Sequence, residues 1–237
     1  MSEAAARTAV RDEHPLDEVI WNALTGKQKR FAVGNDRAVR LLGSVGPFAA
    51  LVDSSPASFD ALRPLIAEQG PAALTTPHEV ALPSGFSIVR HAALLQMVWQ
   101  REPDPTAWEH VRLVERDVPD MLALTAATQP GPFGPRTIEL GDYIGVRKQG
   151  KLAAMAGERM SLDGFTEISA VCVDPAFRGQ GHAVGLMRLL IASICARGET
   201  PFLHVLASNE GAIAIYRKMG FVERRRMQLT VLDAAKG

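Results

Sequence analysis

The chain has 237 residues, 47% hydrophobic and 22% charged, with 26 basic and 26 acidic side chains that leave no formal net charge. That length buries a substantial core in one large domain or two small ones. A neutral chain with only 6% aromatic residues offers neither bulk attraction nor stacking groups to nucleic acid, so no nucleic-acid partner is expected. Two cysteines, Cys172 and Cys195, make neither a disulfide framework nor a zinc site and suit a reducing setting.

Residues 1–14 read as a loose polar arm with no apolar leader segment. No window reaches the ~18 uninterrupted apolar residues of a membrane span. A cytoplasmic protein without a membrane partner is therefore expected. Leu16–Gly26 reads as a helix stopped by its glycine, Gly46–Asp53 as a strand, and Ser58–Gly70 as a helix capped by Ser58. PAALTTP reads as a short strand. Phe86–Gln100 begins as a strand, with its later part ambiguous. Glu102–Pro105 is a break, and a boundary is placed there, giving regions 1–104 and 105–237.

Beyond the break, WEHVRLVERD reads as a strand running into a helix start. VPDMLALTAAT has the 3.6-residue apolar spacing of a helix, and QPGPFGPRT is a Pro/Gly loop. Two strands follow, joined at Gln149-Gly150, and GFTEISAVCVD is a third. AVGLMRLLIASICARG is a helix, TPFLHVLASN a strand, GAIAIYRKMGF a helix stopped at Gly220, and VERRRMQLTVL a last strand. The alternation of elements is mixed α/β.

The stretch CVDPAFRGQGHAVGLMRLL carries the chemistry. A strand, a glycine-bearing turn and a helix start together leave backbone N–H groups unpaired, at the positive end of the helix dipole. Gly179, Gly181 and Ala183 are small enough to admit a phosphate, Arg178 adds charge, and Gln180 and His182 complete the turn. The other reading is a tight turn that needs glycine for its backbone angles. The spacing fits neither a P-loop nor a dinucleotide fingerprint.

VDPAFRGQGHA resembles the acyl-CoA signature of the GNAT superfamily of N-acetyltransferases, Gln/Arg-x-x-Gly-x-Gly/Ala after the fourth strand, through Arg178, Gly181 and Ala183. SNEGAIAIYRKMGF resembles the next helix of that superfamily through Asn209, Ala212, Tyr216, Gly220 and Phe221. TEISAVC and ETPFLHV are similar to a subgroup that includes glycine N-acyltransferase-like members. The resemblance covers the C-terminal half. It implies a mixed-sheet α/β fold over 105–237, preceded by a smaller α/β half over 1–104 that is a degenerate copy of the same fold. It also implies acetyl-CoA as cosubstrate, no metal, and a small-molecule amine or amino acid as acceptor. Two alternatives stay open: a protein N-terminal or lysine acetyltransferase, and a non-catalytic acyl-CoA-binding regulator. Oligomerisation is left open.

The resemblance also implies roles. The backbone of Val171, Cys172 and Val173 would line the pantetheine arm, with the Val173 N–H facing the thioester oxygen. Asn209 would bond the same arm, with Ala212 beside it, and Tyr216 would meet the leaving thiolate. Read from the residues alone, Asn209 is a helix N-cap and Tyr216 a half-buried core residue. Strand alternation puts Glu167, Ser169, Val171 and Val173 on one face. There Glu167 is either a strand-end charge or, by the resemblance, the general base, with Glu158, Asp163 and His204 as weaker candidates. The superfamily's acceptor pocket maps to residues 129–137 and 224–229, where Phe133 and Arg136 are the substrate residues expected to suit a carboxylate-bearing acceptor. Of Arg224, Arg225 and Arg226, at most one is expected to reach a CoA phosphate and the rest to be solvated.

Overall fold

The computed structural model describes residues 14–104 and 106–234; the predicted polar arm lies outside them except for His14. The described residues form one sheet of eleven strands with five α-helices packed on it. In the first half these are α1 (Val19–Thr25), β1 (Ala32–Gly34), β2 (Ala38–Leu41), β3 (Phe48–Leu51), α2 (Pro56–Gln69), β4 (Ala72–Thr76) and β5 (Phe86–Trp99). In the second they are β6 (Val111–Arg112), α3 (Val118–Thr128), β7 (Tyr143–Lys148), β8 (Lys151–Leu162), β9 (Phe165–Val173), α4 (His182–Ala196), β10 (Thr200–Leu206), α5 (Glu210–Met219) and β11 (Phe221–Ala234).

The strand order is β1-β2-β3-β4-β11-β5-β10-β9-β8-β7-β6. Read inward from either side, four consecutive strands of one half are followed by the last strand of the other, with β6 as an extra edge. Each half has one parallel pair, β3–β4 and β9–β10, whose strands are joined through a helix, α2 and α4. The two halves thus repeat one plan and exchange their last strands. β5 pairs with β10 and β11, and β11 pairs with β4 along five residues.

Side-chain alternation assigns the faces. Ala73, Phe48 and Val231 face α1, while their neighbours Ala72, Ala49 and Leu232 face α2. Leu203, Met97 and Ile168 pack under α4 and α5, and Tyr143, Met155 and Cys172 under α3. One face therefore carries α1 and α3, the other α2, α4 and α5.

Local chemistry explains most of the element ends. Gln149 and Gly150 both take left-handed φ (51° and 77°), the two-residue turn that matches strand twist between β7 and β8. Gly157 on β8 is required by packing, because a Cβ there would meet the Tyr143 ring at 2.1 Å. α2 starts earlier than its sequence suggests. Ser55 is its cap, accepting from the Ser58 N–H, while Ser58 is buried inside the first turn and donates to Asp53. The ambiguous end of Phe86–Gln100 is strand through Trp99. β1 and β2, with no sequence expectation, surround Arg40, a fully buried arginine whose guanidinium donates to the Leu65 and Gly70 carbonyls at the end of α2.

Candidate functional site

β9 and β10 pair only where Phe165–Glu167 lie beside Thr200–Phe202. Farther along they separate, although each keeps its outer neighbour: Val173 stays opposite Ala154 on β8, and Leu206 stays opposite Leu94 on β5. Their inner edges thus face each other across a wedge with unpaired backbone groups. Asp174 donates its N–H to Ala153 O on the β8 side at 2.8 Å. Backbone groups alternate along a strand, so the Val173 N–H faces the wedge.

Ala170 takes a left-handed φ of 53°, and the β8–β9 register shifts beside it, between Met155 and Gly157. This bulge inserts one residue and resets the alternation. The expectation that Glu167 shares a face with Val171 and Val173 is therefore corrected. Glu167 lies with Arg159 and His204 on the α1 side, whereas Val171 and Val173 pack with the α4 cluster. Cys172, expected opposite Glu167, packs on the α3 side instead, and burial pushes its thiol up to about 11.

At the mouth of the wedge the chain makes the glycine turn and enters α4. Gly179 and Gly181 have φ of 77° and 79°, so the backbone itself demands glycine. A Cβ at Gly179 would meet nothing within 4 Å, and at Gly181 only Trp108 at 3.4 Å, so the space over the turn is open. No side chain among the described residues caps α4. Both ring nitrogens of His182, in the first turn, are buried without a hydrogen-bond partner among the described residues. The corresponding helix start in the first half is closed. Asp53 accepts from Ser55 N (3.0 Å) and Ser58 Oγ (2.6 Å), which helps to hold its carboxyl at about 2 and places a fixed negative charge there. The donor set at α4 fits a pyrophosphate, and that at α2 repels one.

A cavity of about 720 Å³ runs from this turn through the wedge. Arg178, Gly179, Gly181, His182 and Ala183 line one end; Val171–Val173 and His204–Leu206 form the walls, with Asn209, Ala212 and Tyr216 beside them. The other end is built largely by the first half and by β11, through Phe48, Ala73, Thr75, Arg90 and Val231, with residues 129–132 as a flank. Asn209 caps α5 through its Oδ1, which accepts from Ala212 N at 3.2 Å and leaves the amide donor available. Burial raises the Tyr216 hydroxyl, whose ring packs edge-on against Phe221.

Four of the predicted site residues do not line the cavity. Gln180 is exposed on the turn. Phe133 packs against Tyr143, and Arg136 forms a two-bond pair with Glu139 three residues on. Glu167, 1% exposed, sits behind the wall; this excludes the strand-end reading. Its oxygens accept from Arg159 (2.9 and 2.7 Å) and from His204 Nδ1 (2.8 Å). Burial alone would push its carboxyl up, but the Arg159 charge and these bonds hold it at about 2.

His204 is fixed from its other side. Arg224 can only donate, so the Gln96 oxygen faces its Nη1 at 2.6 Å. Gln96 Nε2 then donates to Leu16 O (2.7 Å) and to His204 Nε2 (3.0 Å). The network assigns the proton of His204 to Nδ1, pointing at Glu167. Arg224 is tied in turn to Asp17 at 2.7 Å, as is Arg225 at 2.9 Å. These two arginines are thus engaged by Asp17 rather than solvated. Nothing in the sequence marked this chain of polar groups, because its members come from six separate segments.

Known proteins point the same way. A family described as FR47-like protein matches residues 143–229. The N-alpha-acetyltransferase RimI of Mycobacterium tuberculosis is 36% identical over 101 residues, 39% of this chain and 61% of that protein. The ribosomal protein bS18-alanine N-acetyltransferase of Haemophilus ducreyi is 31% identical over 115 residues, 46% of this chain and 79% of that protein. A solved structure from Novosphingobium aromaticivorans, assigned to the GNAT family, is 41% identical, with a TM-score of 0.88 over 94% of this chain and all of that one. The chain thus spans 61% of the length of the Mycobacterium relative, whereas the two-half plan is matched over nearly its whole length by the solved structure.

Proposed function

Because the chain belongs to the GNAT superfamily of N-acetyltransferases, we propose that it moves an acetyl group from acetyl-CoA to a primary amine by direct attack, with both substrates bound together. The observation that carries this reading is the wedge between β9 and β10, ending at an uncapped, glycine-bearing helix start. Acetyl-CoA supplies an activated thioester when bound. The turn at residues 178–183 holds its pyrophosphate, and the open edge of β9 holds its pantetheine arm as an added strand would. The Val173 N–H donates to the thioester oxygen, a placement worth ~2–4 kcal/mol at comparable sites. Asn209 donates its amide to the arm, and Tyr216 donates its hydroxyl to the leaving sulfur. A leaving thiolate, whose thiol titrates near ~8.5, is a weaker base than the phenolate of a tyrosine above ~10, so a hydrogen bond from Tyr216 stabilises it without full proton transfer.

Among the described residues no carboxylate lines the cavity, and both nitrogens of His204 are engaged. Glu167 is too weak a base at about 2 and acts by positioning His204 and Arg159. The acceptor therefore reacts as the neutral amine it brings from solution. The expected result is that kcat/KM rises with unit slope in pH up to the acceptor's own pKa, and that a less basic acceptor moves the break by the difference between the two amines. A break at one pH for both acceptors would assign the titration to the enzyme instead.

The names of two relatives, an N-alpha-acetyltransferase and a ribosomal protein bS18-alanine N-acetyltransferase, favour a protein N-terminus as the second reading. The lining of the acceptor end by side chains of β3, β4 and β5 favours a small acceptor. The test is to incubate the protein with acetyl-CoA and a panel of small amines and N-terminal peptides, and to identify acetylated products by mass spectrometry. No acetylated product from any member would remove the enzymatic reading.

A further inference from the structure

Among the described residues, the lining of the cavity contains no aspartate or glutamate and three arginines, Arg90, Arg159 and Arg178. Arg178 sits on the glycine turn. Arg159 donates Nε and Nη2 to Glu167, so its charge is answered. Arg90 is different: it is exposed to solvent, and among the described residues it has no hydrogen-bonding or ion-pair partner. It stands at the far end of the cavity from the turn, on strand β5 of the first half.

The strand registers locate it. Phe48 lies opposite Ala73, Ala73 opposite Val231, and Val231 opposite Arg90, a single row across β3, β4, β11 and β5. All four line the cavity, so the row is its floor. Along β5, Leu94 also lines the cavity and lies opposite Leu206 at the wedge. Leu94 and Arg90 are four residue steps apart on the strand, about 13 Å at ~3.3 Å per residue. The guanidinium can reach several ångströms back along this floor.

Resting on the acetyl-transfer reading, we infer that the acceptor is an elongated amine with a terminal carboxylate, and that Arg90 holds that carboxylate. An acid-free floor ending in an unpaired guanidinium attracts an anion and repels a polycation. The distance from wedge to Arg90 suits a molecule about 10 Å from amine to acid. That is the length of an extended tripeptide at ~3.3 Å per residue, and it exceeds that of a single amino acid.

The test compares tripeptides bearing a free C-terminal carboxylate with the same peptides amidated, and adds a single amino acid and a polyamine, each with saturating acetyl-CoA. Wild type should acetylate the free acids about 2–5-fold more efficiently than the amides, the range expected for one exposed charge pair. Arg90→Ala should erase that preference through KM, with acetyl-CoA affinity and thermal stability unchanged, and Arg90→Lys should restore part of it. Equal rates for acids and amides, a preference that survives Arg90→Ala, or faster transfer to the polyamine or the single amino acid would overturn the inference and leave the acetyltransferase reading standing. So would acetyl-CoA binding with no transfer to any tripeptide. Failure to bind acetyl-CoA would instead remove the reading beneath it.

Discussion

Glu167→Ala is expected to destabilise the fold by about 3–5 kcal/mol, because it leaves a buried arginine without its counter-ion. Arg159 is only 12% exposed at its side chain and His204 only 8%, and both direct their donors at Glu167. For a chain of this size the loss corresponds to a fall in melting temperature of roughly 6–20 °C. Glu167→Gln keeps the shape and one acceptor but not the charge, so it should fall between. The pH dependence has a defined sign. The folded carboxyl titrates near 2 and the unfolded one near 4.5, so its stabilisation is complete above about pH 5 and is lost as pH falls toward 2. That gap corresponds to about 3 kcal/mol of acid-labile stability, absent from Glu167→Gln. Thermal melts of the three proteins between pH 3 and 7 would show it. A melting temperature that Glu167→Ala leaves within a few degrees of wild type would mean that water answers the Arg159 charge.

Tyr216→Phe is expected to lower kcat about 10²–10³-fold while leaving acetyl-CoA affinity within a few-fold of wild type. The phenol is raised by burial and stays protonated through the neutral range, so it acts as a donor toward the sulfur rather than as a titrating acid. Loss of one donor aimed at a developing negative charge costs that much in comparable sites. The ring's packing on Phe221 survives the change, so stability should move little. Single-turnover rates with a saturating acceptor would measure the effect on the chemical step. An unchanged rate would reduce Tyr216 to a packing residue.

Local periodicity made most elements of the second half legible. The apolar spacing of residues 118–128 and 183–196, the Gln149-Gly150 turn and the stop at Gly220 each act through neighbouring residues, and each is found where the sequence put it. The glycine turn was legible for the same reason, since left-handed φ at residues 179 and 181 is a property of the turn itself. What escaped depends on distance in sequence. The exchange of β5 and β11 is decided by pairing between residues more than a hundred positions apart, and no local pattern carries it. The bulge at Ala170 defeated strict alternation on β9 and misplaced Glu167 relative to Val173. Arg136 looked free, yet Glu139 stands at the spacing that pairs side chains along a short helical turn. Arg90 carries no local signal in the sequence; only the row from Phe48 across four strands places it at the cavity's end.

The central claim is that acetyl-CoA sits on the turn at residues 178–183, and calorimetric titration of wild type and Gly181→Trp with acetyl-CoA tests it most directly. Gly181 is exposed and faces open space beyond Trp108, so the new side chain points into the cradle rather than the core, but its φ of 79° strains any side chain, so a thermal melt must show the variant folded before its binding is read. Wild type should bind one acetyl-CoA per chain with micromolar affinity, because Asp53 closes the corresponding helix start of the first half, and the folded variant should bind none. Equal binding by the two proteins, or two molecules per chain, would contradict the account.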